Sequence, residues 1–271
     1  MLNKINKAVD YLKQYFDKQP LAAIILGTGL GNFDQEILIK HSIPYSEIPN
    51  FPISTVEGHN GNFLIGEINN MIIVLLQGRF HYYEGYSMEE IIFPIRVLKF
   101  IGISYLFITN ASGGMNPVFE IGDIMVITDH INQMPNPLIG KHYPEFGPRF
   151  PDMSETYSKD LINQTKIIAK KNKIKLHEGC YVAVTGPTYE TPKEYEYFRN
   201  IGGDNIGMST VPEVIAAVQM GIQCLAISII TDLGIPGKIE KISHEEVINT
   251  AAAAGWKIAL ILKDLIKSLS V

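Results

Sequence analysis

Two glycine-containing segments place donors for an anion directly after apolar, strand-like runs. The first is residues 27–31, Gly-Thr-Gly-Leu-Gly, where glycines let backbone N–H groups turn toward a ligand and Thr28 adds a hydroxyl donor. The dinucleotide-binding pattern would require its third glycine at position 32, which is asparagine, and no Walker lysine follows. The segment therefore indicates either an anion site or a simple turn at a strand end.

The second segment is residues 78–85, Gly-Arg-Phe-His-Tyr-Tyr-Glu-Gly. The Arg79 guanidinium offers a rigid fork of donors that suits phosphate, and His81 can donate a hydrogen bond or transfer a proton. A basic strand end with a purely structural histidine is the alternative interpretation. Polar and aromatic side chains are dense after this apolar run. A phosphate site is therefore as well supported as the structural interpretation.

Two further segments have the same character. Residues 109–114 read Thr-Asn-Ala-Ser-Gly-Gly, and residues 207–213 read Gly-Met-Ser-Thr-Val-Pro-Glu. In the second of these, Thr210 is predicted to cap a helix with Glu213 closing a capping box, which would place Ser209 at the positive helix end. Four segments of this kind, each following a predicted strand, are expected to line one pocket that binds an anion and a small molecule.

Residues 185–191, Thr-Gly-Pro-Thr-Tyr-Glu-Thr, carry a carboxylate where a strand is predicted to turn into a helix. Thr191 is predicted as the N-cap, Pro192 as the first helical residue, and Glu194 as the partner in a capping box. Ligands of α/β proteins bind at such strand ends, and Glu190 could accept hydrogen bonds from a nucleobase. The alternative is that Glu190 is a solvated loop carboxylate.

The elements that must position these residues alternate along the chain. Strands are predicted at 22–26, 62–68, 71–77, 105–109, 123–127, 179–185 and 223–230. Helices are predicted at about 3–17, 88–101, 158–172, 192–200, 211–220 and 244–268. Asn69-Asn70 reads as a hairpin turn, which makes the sheet mixed, and Pro94 is expected to kink its helix. The pattern predicts an α/β fold, a mixed central β-sheet flanked by helices.

The composition limits the number of domains and the classes of protein to which the chain can belong. The chain has 271 residues, 46% of them hydrophobic, and no linker divides it, so one domain spanning 1–271 is predicted. A net charge of −5 argues against nucleic-acid binding, and the apolar runs are too short to span a membrane. Cys180 and Cys224 lie in apolar runs without a CxxC or disulfide spacing, which predicts core packing and a cytoplasmic location.

Taken together, the motifs resemble the purine nucleoside phosphorylase family of the homotrimeric type. The matching pieces occur from about residue 20 to 250: GTGLG (27–31), GHNG (58–61), QGRFHYYEGY (77–86), TNASGGMNP (109–117), GDIMVITDHIN (122–132), GPTYET (186–191), GMSTVPEV (207–214) and SHEEV (243–247). Phosphorylases of methylthioadenosine share parts of this pattern. They are the natural competing assignment.

The resemblance implies a nucleoside phosphorylase-like fold and phosphorolysis of purine nucleosides to a free base and ribose 1-phosphate. Inorganic phosphate would be a co-substrate and no cofactor would be needed. The seven histidines show no HxH or HxxxH spacing, so no metal site is predicted. The resemblance also implies a homotrimer.

The family assigns roles to particular residues of this chain. Those implied to bind phosphate are Thr28, His59, Arg79, His81, the backbone at Ala111, and Ser209. Those implied to hold the ribose are Tyr83, Met208, His244 and, from a neighbouring subunit, Phe150. Those implied to bind the base are Tyr189, Glu190 and Asp232, and the expected catalytic residues are His81, Glu190, Asp232 and His244.

Asp232 departs from the family, whose 6-oxopurine enzymes normally have asparagine at this position. An ionised Asp232 only accepts hydrogen bonds and would suit the amino group of adenine, whereas a protonated Asp232 could donate to N7 of the leaving base. Glu190 suits the N1–H of hypoxanthine and guanine. Inosine and guanosine are therefore the expected substrates, and adenosine stays open.

Other classes fit the residues less well. A hydrolase would not need the Arg79 and His81 pair, and a non-catalytic nucleoside-binding protein would not need the phosphate set. A dinucleotide-dependent oxidoreductase conflicts with the spacing of the glycines in 27–31.

Overall fold

A mixed β-sheet forms the centre of the computed structural model, which describes residues 1–30, 33, 37–53 and 61–269. Within these ranges nine strands are present: β1 (Ala22–Ile25), β2 (Leu38–Pro44), β3 (Asn62–Ile68), β4 (Met71–Gln77), β5 (Tyr105–Gly114), β6 (Ile124–Asn132), β7 (Leu176–Ala183), β8 (Asn205–Gly207) and β9 (Gln223–Leu233). Their order is β2-β3-β4-β1-β5-β8-β7-β6-β9, and β5 also pairs with β9. In this described part the last five strands therefore close into a ring.

The helices are α1 (Leu2–Lys13), α2 (Met88–Ile91), α3 (Phe93–Ile101), α4 (Lys159–Lys171), α5 (Pro192–Asn200), α6 (Val211–Gln219) and α7 (His244–Ser268). They pack in two groups: α1 lies on α3, which contacts α6, and α4 lies on α7. Short 3₁₀ turns occur at Tyr45–Glu47, Tyr82–Glu84 and Pro144–Phe146. No helix in the described ranges combines the length and the apolarity that crossing a membrane requires.

The parallel strands set the position of the site. β1 is parallel to both β4 and β5, and β5 is parallel to β9, so these four strands end at the same edge of the sheet. All four residues of β1 are buried, as expected for a strand that is covered on both faces. The carboxyl-end loops of an α/β sheet are where ligands bind.

The predicted mixed α/β sheet is confirmed. The helix at 192–200 and the helix at 244–268 have the predicted bounds, and Asn69 and Asn70 form the predicted hairpin turn with positive φ angles of 50° and 62°. Thr191 and Ser243 both cap their helices through capping boxes. A kink was expected at Pro94. The structure instead shows a break at Ile92, which separates α2 from α3.

Two strands were missed, three extend further at their carboxyl ends than predicted, and β7 (Leu176–Ala183) begins and ends earlier than the predicted 179–185. β2 is an edge strand with four exposed residues, so it shows no apolar alternation, and β8 has only three residues. β5 continues to Gly114 because its small residues still pair with β8 and β9, so residues 110–114 are strand rather than the exit loop that the sequence predicted. β6 and β9 likewise run on to Asn132 and Leu233.

The two cysteines are free. Cys224 is buried and Cys180 is half-buried, and burial raises the pKa of their thiols to about 12 and about 11. Thiols that stay protonated at neutral pH are poor nucleophiles, which agrees with the predicted packing role.

Candidate active site

A cleft of about 660 Å³, counting the space at its mouth, lies at the carboxyl ends of β1, β4, β5 and β9. The cleft collects these predicted site residues: Thr28, Arg79, His81, Tyr83, Ala111, Tyr189, Glu190, Met208, Ser209, Asp232 and His244. The structure therefore brings together residues that are up to 216 positions apart in the sequence, from Thr28 to His244.

Two predicted site residues are not among them. His59 lies outside the described residues. Phe150 lines a separate cavity with Ile139 and Arg149, and 88% of its surface is exposed. Its side chain is thus absent from the lining of the cleft of its own subunit.

The Arg79 guanidinium is buried and held on several sides. Its Nε donates to Glu213 Oε1 at 2.8 Å, and its Nη1 donates to the Thr109 carbonyl oxygen and to Ser209 Oγ, each at 3.1 Å. These contacts join the end of β4 to β5 and to the start of α6. The cation is fixed in orientation before any ligand binds.

The capping box predicted for α6 is wrong. Thr210 has a φ of 71° and makes no capping bond; its hydroxyl accepts from Asn110 Nδ2 at 2.9 Å. Glu213 does not turn back to the helix start, because its carboxylate pairs with the buried Arg79. A charged hydrogen bond to a guanidinium is stronger than one to a backbone amide. This difference explains why Glu213 binds Arg79 rather than the backbone at the start of α6. Ser209 still lies in the cleft, as predicted.

His81 is oriented by Glu84. The Glu84 Oε1 atom accepts from the His81 backbone N–H at 2.8 Å and lies 2.8 Å from His81 Nδ1. Burial lowers the pKa of His81, so the neutral imidazole predominates at neutral pH. Since a carboxylate only accepts, we assign the ring proton to Nδ1, which leaves Nε2 as an acceptor. The Tyr83 ring stacks on His81 with 4.7 Å between ring centroids.

Close backbone approach shapes the loop between β7 and α5. Gly186 has a φ of 60° and is followed by a cis peptide bond to Pro187. The positive φ favours glycine at this position, and a Cβ atom there would lie 2.3 Å from the sulfur of Met208, so any other residue would also displace this side chain. The loop then presents Tyr189 and Glu190 to the cleft.

Two carboxyl groups share the far part of the cleft. The Tyr195 hydroxyl donates to Asp232 Oδ2 at 3.2 Å, and Tyr195, Glu190 and Asp232 all line the adjoining cavity. Burial is the main cause that raises the pKa of Glu190, to about 7, and it also raises the pKa of Asp232. Each carboxyl group is therefore easier to protonate at neutral pH than an exposed one.

Sequence reasoning missed several residues of this site, among them Asn110, Ser112, Tyr195 and Glu213. Asn110 and Ser112 line the cleft from within β5, and Asn205 Nδ2 donates to Ser112 Oγ at 2.8 Å. The polar pair in an otherwise apolar run was a usable signal for both. Tyr195 had only its place four residues after the N-cap Thr191 as a signal, and that place does not reveal which carboxyl groups it meets.

Three helices begin at the cleft. Glu190 immediately precedes the N-cap of α5, Ser209 precedes α6, and His244 is the first residue of α7. The N-terminus of a helix carries a partial positive charge, so all three ends favour an anion in the cleft.

The comparisons with known proteins agree with this geometry. The family model described as the phosphorylase superfamily matches residues 22–267. The chain is 46% identical over 267 residues to purine nucleoside phosphorylase 1 of Geobacillus stearothermophilus, covering 98% of this chain and 97% of that protein. Two crystal structures of Schistosoma mansoni purine nucleoside phosphorylase, one in complex with adenosine and one with inosine, superpose with TM-scores of 0.94. Each is 36% identical and covers 100% of this chain and 98% of that chain.

Replacing Glu213 with glutamine tests whether Arg79 is held for an anion. Loss of one partner of a buried ion pair should lower the free energy of unfolding by about 3 kcal/mol. A phosphate dianion would supply the missing negative charge, so phosphate should raise the melting temperature more in Glu213→Gln than in the wild type. Thermal unfolding with and without phosphate measures this, with the exposed Glu120→Gln as the control. Equal stabilisation by phosphate in all three proteins would contradict the assignment.

Proposed function

The chain belongs to the purine nucleoside phosphorylases of the phosphorylase superfamily, and we propose that inosine and guanosine are its principal substrates. The enzyme is a pentosyltransferase that catalyses the reversible phosphorolysis of purine nucleosides. The observation that carries the proposed preference is that Glu190 lines the same cleft as the buried Arg79. An anion-binding end and a base-binding end are thus parts of one site.

We assign phosphate to the Arg79 end of the cleft. Arg79, Thr28, Ser209 and the backbone N–H of Ala111 would donate to its oxygens, and His59 keeps the role that the sequence predicted. The neutral His81 would accept, at Nε2, a hydrogen bond from the remaining O–H group of monohydrogen phosphate. The dianion would then be held against the sugar without losing its charge to a nearby acid.

The reaction needs no covalent intermediate with the protein. A phosphate oxygen forms a bond to C1′ of the ribose while the bond between C1′ and N9 of the purine breaks. The electron pair of that bond leaves with the purine, and the base takes up a proton at a ring nitrogen. Positive charge develops on the sugar and negative charge on the base, so prearranged charges at both ends of the cleft lower the barrier.

The ribose and the base are assigned to the rest of the cleft. Tyr83, Met208 and His244 would contact the sugar, and Tyr189 would pack on the purine ring. Glu190 in its ionised form would accept from N1–H of hypoxanthine or guanine. Asp232 in its protonated form would donate to N7, where it would stabilise the charge of the leaving base.

The second candidate is a 6-aminopurine phosphorylase, and Asp232 is the observation that favours it. An ionised carboxylate there would accept from the amino group of adenine. The related Schistosoma mansoni protein has been solved with adenosine as well as with inosine, so both kinds of base are relevant to a cleft of this shape. A hydrolase or a binding protein without turnover lacks such a supporting observation.

Release of free base from inosine, guanosine and adenosine, each with and without phosphate, tests the proposal. We expect phosphate-dependent release from inosine and guanosine. Release from adenosine alone would favour the second candidate, and release that does not depend on phosphate would favour a hydrolase. Binding of nucleosides with no release would reject turnover altogether.

We also propose that the enzyme is a homotrimer acting through one domain in the cytoplasm. The exposed Phe150 supports the assembly, since its side chain would reach the sugar bound by a neighbouring subunit. A monomer would then have incomplete sites.

Replacing Asp232 with asparagine should favour 6-oxopurines. The amide always donates to N7 and cannot carry a negative charge, so it loses the charged hydrogen bond from the amino group of adenine. The ratio of kcat/KM for inosine to that for adenosine should therefore rise by about tenfold or more, which corresponds to one charged hydrogen bond. Steady-state kinetics with both nucleosides measure the ratio, and the exposed Asp10→Asn serves as the control. An unchanged ratio would show that Asp232 does not contact the base.

Replacing Phe150 with alanine should weaken nucleoside binding and leave phosphate binding intact. Loss of a large aromatic contact to the sugar should raise the KM for inosine about tenfold, with the KM for phosphate unchanged. The control is Ile167→Ala, which removes another exposed apolar side chain. An equal loss for both substrates would contradict the assignment across the subunit boundary.

A further inference from the structure

A second cavity lies apart from the cleft, beneath part of the long segment that follows β6. It has a volume of about 640 Å³, counting the space at its mouth, and none of the described residues lines both this cavity and the cleft. Its walls come mainly from α2 and α3, from residues 137–149 and from the end of α6. A ligand bound here would be distinct from the nucleoside and the phosphate assigned to the cleft.

Arg96 brings a buried cation to this cavity. Only 7% of its surface is exposed, and the centre of the Phe146 ring lies 3.8 Å from the guanidinium carbon. Its Nε atom has no hydrogen-bond partner among the described residues, and the guanidinium forms no ion pair with a carboxylate in that part of the chain. The stacked ring attracts the cation but carries no negative charge, so the charge of Arg96 is not neutralised.

The contrast with Arg79 shows what Arg96 lacks. Arg79 is also buried, and it is paired with the carboxylate of Glu213. Buried charges in proteins are paired because the loss of hydration is otherwise not compensated. Burial lowers the pKa of Arg96 to about 10, and the charge of Glu89 offsets only part of this effect, yet the guanidinium stays charged at neutral pH. The missing counter-charge must therefore come from a bound anion.

Gln219 adds a hydrogen-bond acceptor to the same cavity. Its Nε2 donates to the Pro148 carbonyl oxygen at 3.0 Å, which fixes the orientation of the amide. Its Oε1 is buried and has no hydrogen-bond partner among the described residues. An acceptor that is buried without a donor is unfavourable, so a ligand in this cavity is expected to bring an O–H or N–H group.

The other charged residues of the lining favour a negative ligand. Lys141 and Arg149 line the cavity together with Arg96, and Glu89 is the one carboxylate in its described lining. The side chain of Arg149 is held in place, since its Nη1 donates to the Leu138 carbonyl oxygen at 2.9 Å. The protein as a whole has a net charge of −5, so this positive lining is a local feature that attracts anions.

The two unsatisfied groups restrict the chemistry of the anion. Arg96 requires an anionic oxygen, and Gln219 requires a donor. Water can donate to Gln219 but carries no charge, while sulfate and carboxylates carry charge but have no O–H group at neutral pH. Phosphate monoesters have mostly lost theirs, because their second pKa is about 6. Inorganic phosphate keeps an O–H group at neutral pH and carries negative charge as well.

We propose that this cavity is a second binding site for inorganic phosphate, in which Arg96 donates to the phosphate oxygens and Gln219 Oε1 accepts from the remaining O–H group. The inference goes beyond the proposed function, because phosphorolysis of a nucleoside uses only the phosphate in the cleft.

The site lies where α3 and α6 hold the segment that leads to Phe150. Arg96 of α3 stacks on Phe146, and Gln219 of α6 binds the backbone at Pro148. Phosphate bound to both side chains would fix them in these positions. It would therefore stabilise the segment just before Phe150, the residue that is assigned to the neighbouring subunit's sugar.

The first test counts the phosphate ions bound by the intact enzyme, using equilibrium dialysis with labelled inorganic phosphate. We expect two per chain in the wild type, one in the cleft and one in this cavity. Arg96→Met keeps an unbranched side chain over Phe146 but removes the charge, so it should bind one. The control is Arg199→Met, which carries the same substitution outside both cavities and should bind two.

The outcomes separate this inference from the proposed function. An equal number of phosphate ions in the wild type and in Arg96→Met would overturn the second site. One ion in the wild type and none in Arg96→Met would support the second site and reject the assignment of phosphate to the cleft, on which the proposed function depends.

The second test measures the choice of anion. The phosphate that Arg96→Met fails to bind should be displaced by sulfate about tenfold more weakly than by unlabelled phosphate, which corresponds to the one hydrogen bond that sulfate cannot donate. Gln219→Leu retains Arg96 and removes the acceptor, so this preference should disappear. Equal displacement by sulfate and phosphate in the wild type would overturn the inference.

The third test asks whether another group already neutralises Arg96. In buffer without phosphate, Arg96→Met should melt no lower than the wild type, because it removes a buried charge that has no partner. Added phosphate should then raise the melting temperature of the wild type more than that of Arg96→Met. If a carboxylate of a neighbouring subunit pairs with Arg96, the substitution will lower the melting temperature in phosphate-free buffer, and this result would overturn the inference.

Discussion

The buried guanidinium of Arg79 is the constraint on which the arrangement of the site depends. A cation in the interior must be matched by charge and by hydrogen bonds, and here Glu213, Thr109 and Ser209 supply them. These partners belong to α6, to β5 and to the segment before α6. Satisfying one charge therefore fixes the relative position of the elements that form the anion-binding end of the cleft.

The two ends of the cleft have opposite electrostatic character. Arg79 and the N-terminus of α6 make one end positive, while Glu190 and Asp232 place two acids at the other. Such an arrangement separates the charges that a breaking glycosidic bond creates only if the acids are not both ionised, since a dianionic end would repel a leaving base. Burial of these carboxyl groups raises the pKa of each and so reduces that repulsion.

Much of the fold could be predicted from the sequence because local signals there are strong. The capping box of Thr191 and the turn at Asn69 depend on neighbouring residues alone, and both were predicted correctly. The box expected at Thr210 failed because its acid, Glu213, binds Arg79, which is 134 residues away. Local pattern cannot reveal a competition with a distant and stronger partner.

The same distinction applies to the site. The residues that end strands were predicted because their glycine-rich surroundings mark them, and the cleft contains them. Tyr195 was not predicted, since nothing near it in sequence indicates the groups that it contacts. The sequence therefore could not predict the residues that contact the ligand-facing side chains, because those contacts depend on how β5, β9 and α5 pack.

The three helices that begin at the cleft have a consequence for how phosphate arrives. The protein carries a net charge of −5, so at long range it repels a dianion, whereas the helix ends and Arg79 attract it at short range. Dissolved salt screens the distant repulsion before it screens the partly buried attraction. Moderate ionic strength should therefore speed the capture of phosphate, and only high ionic strength should loosen its hold.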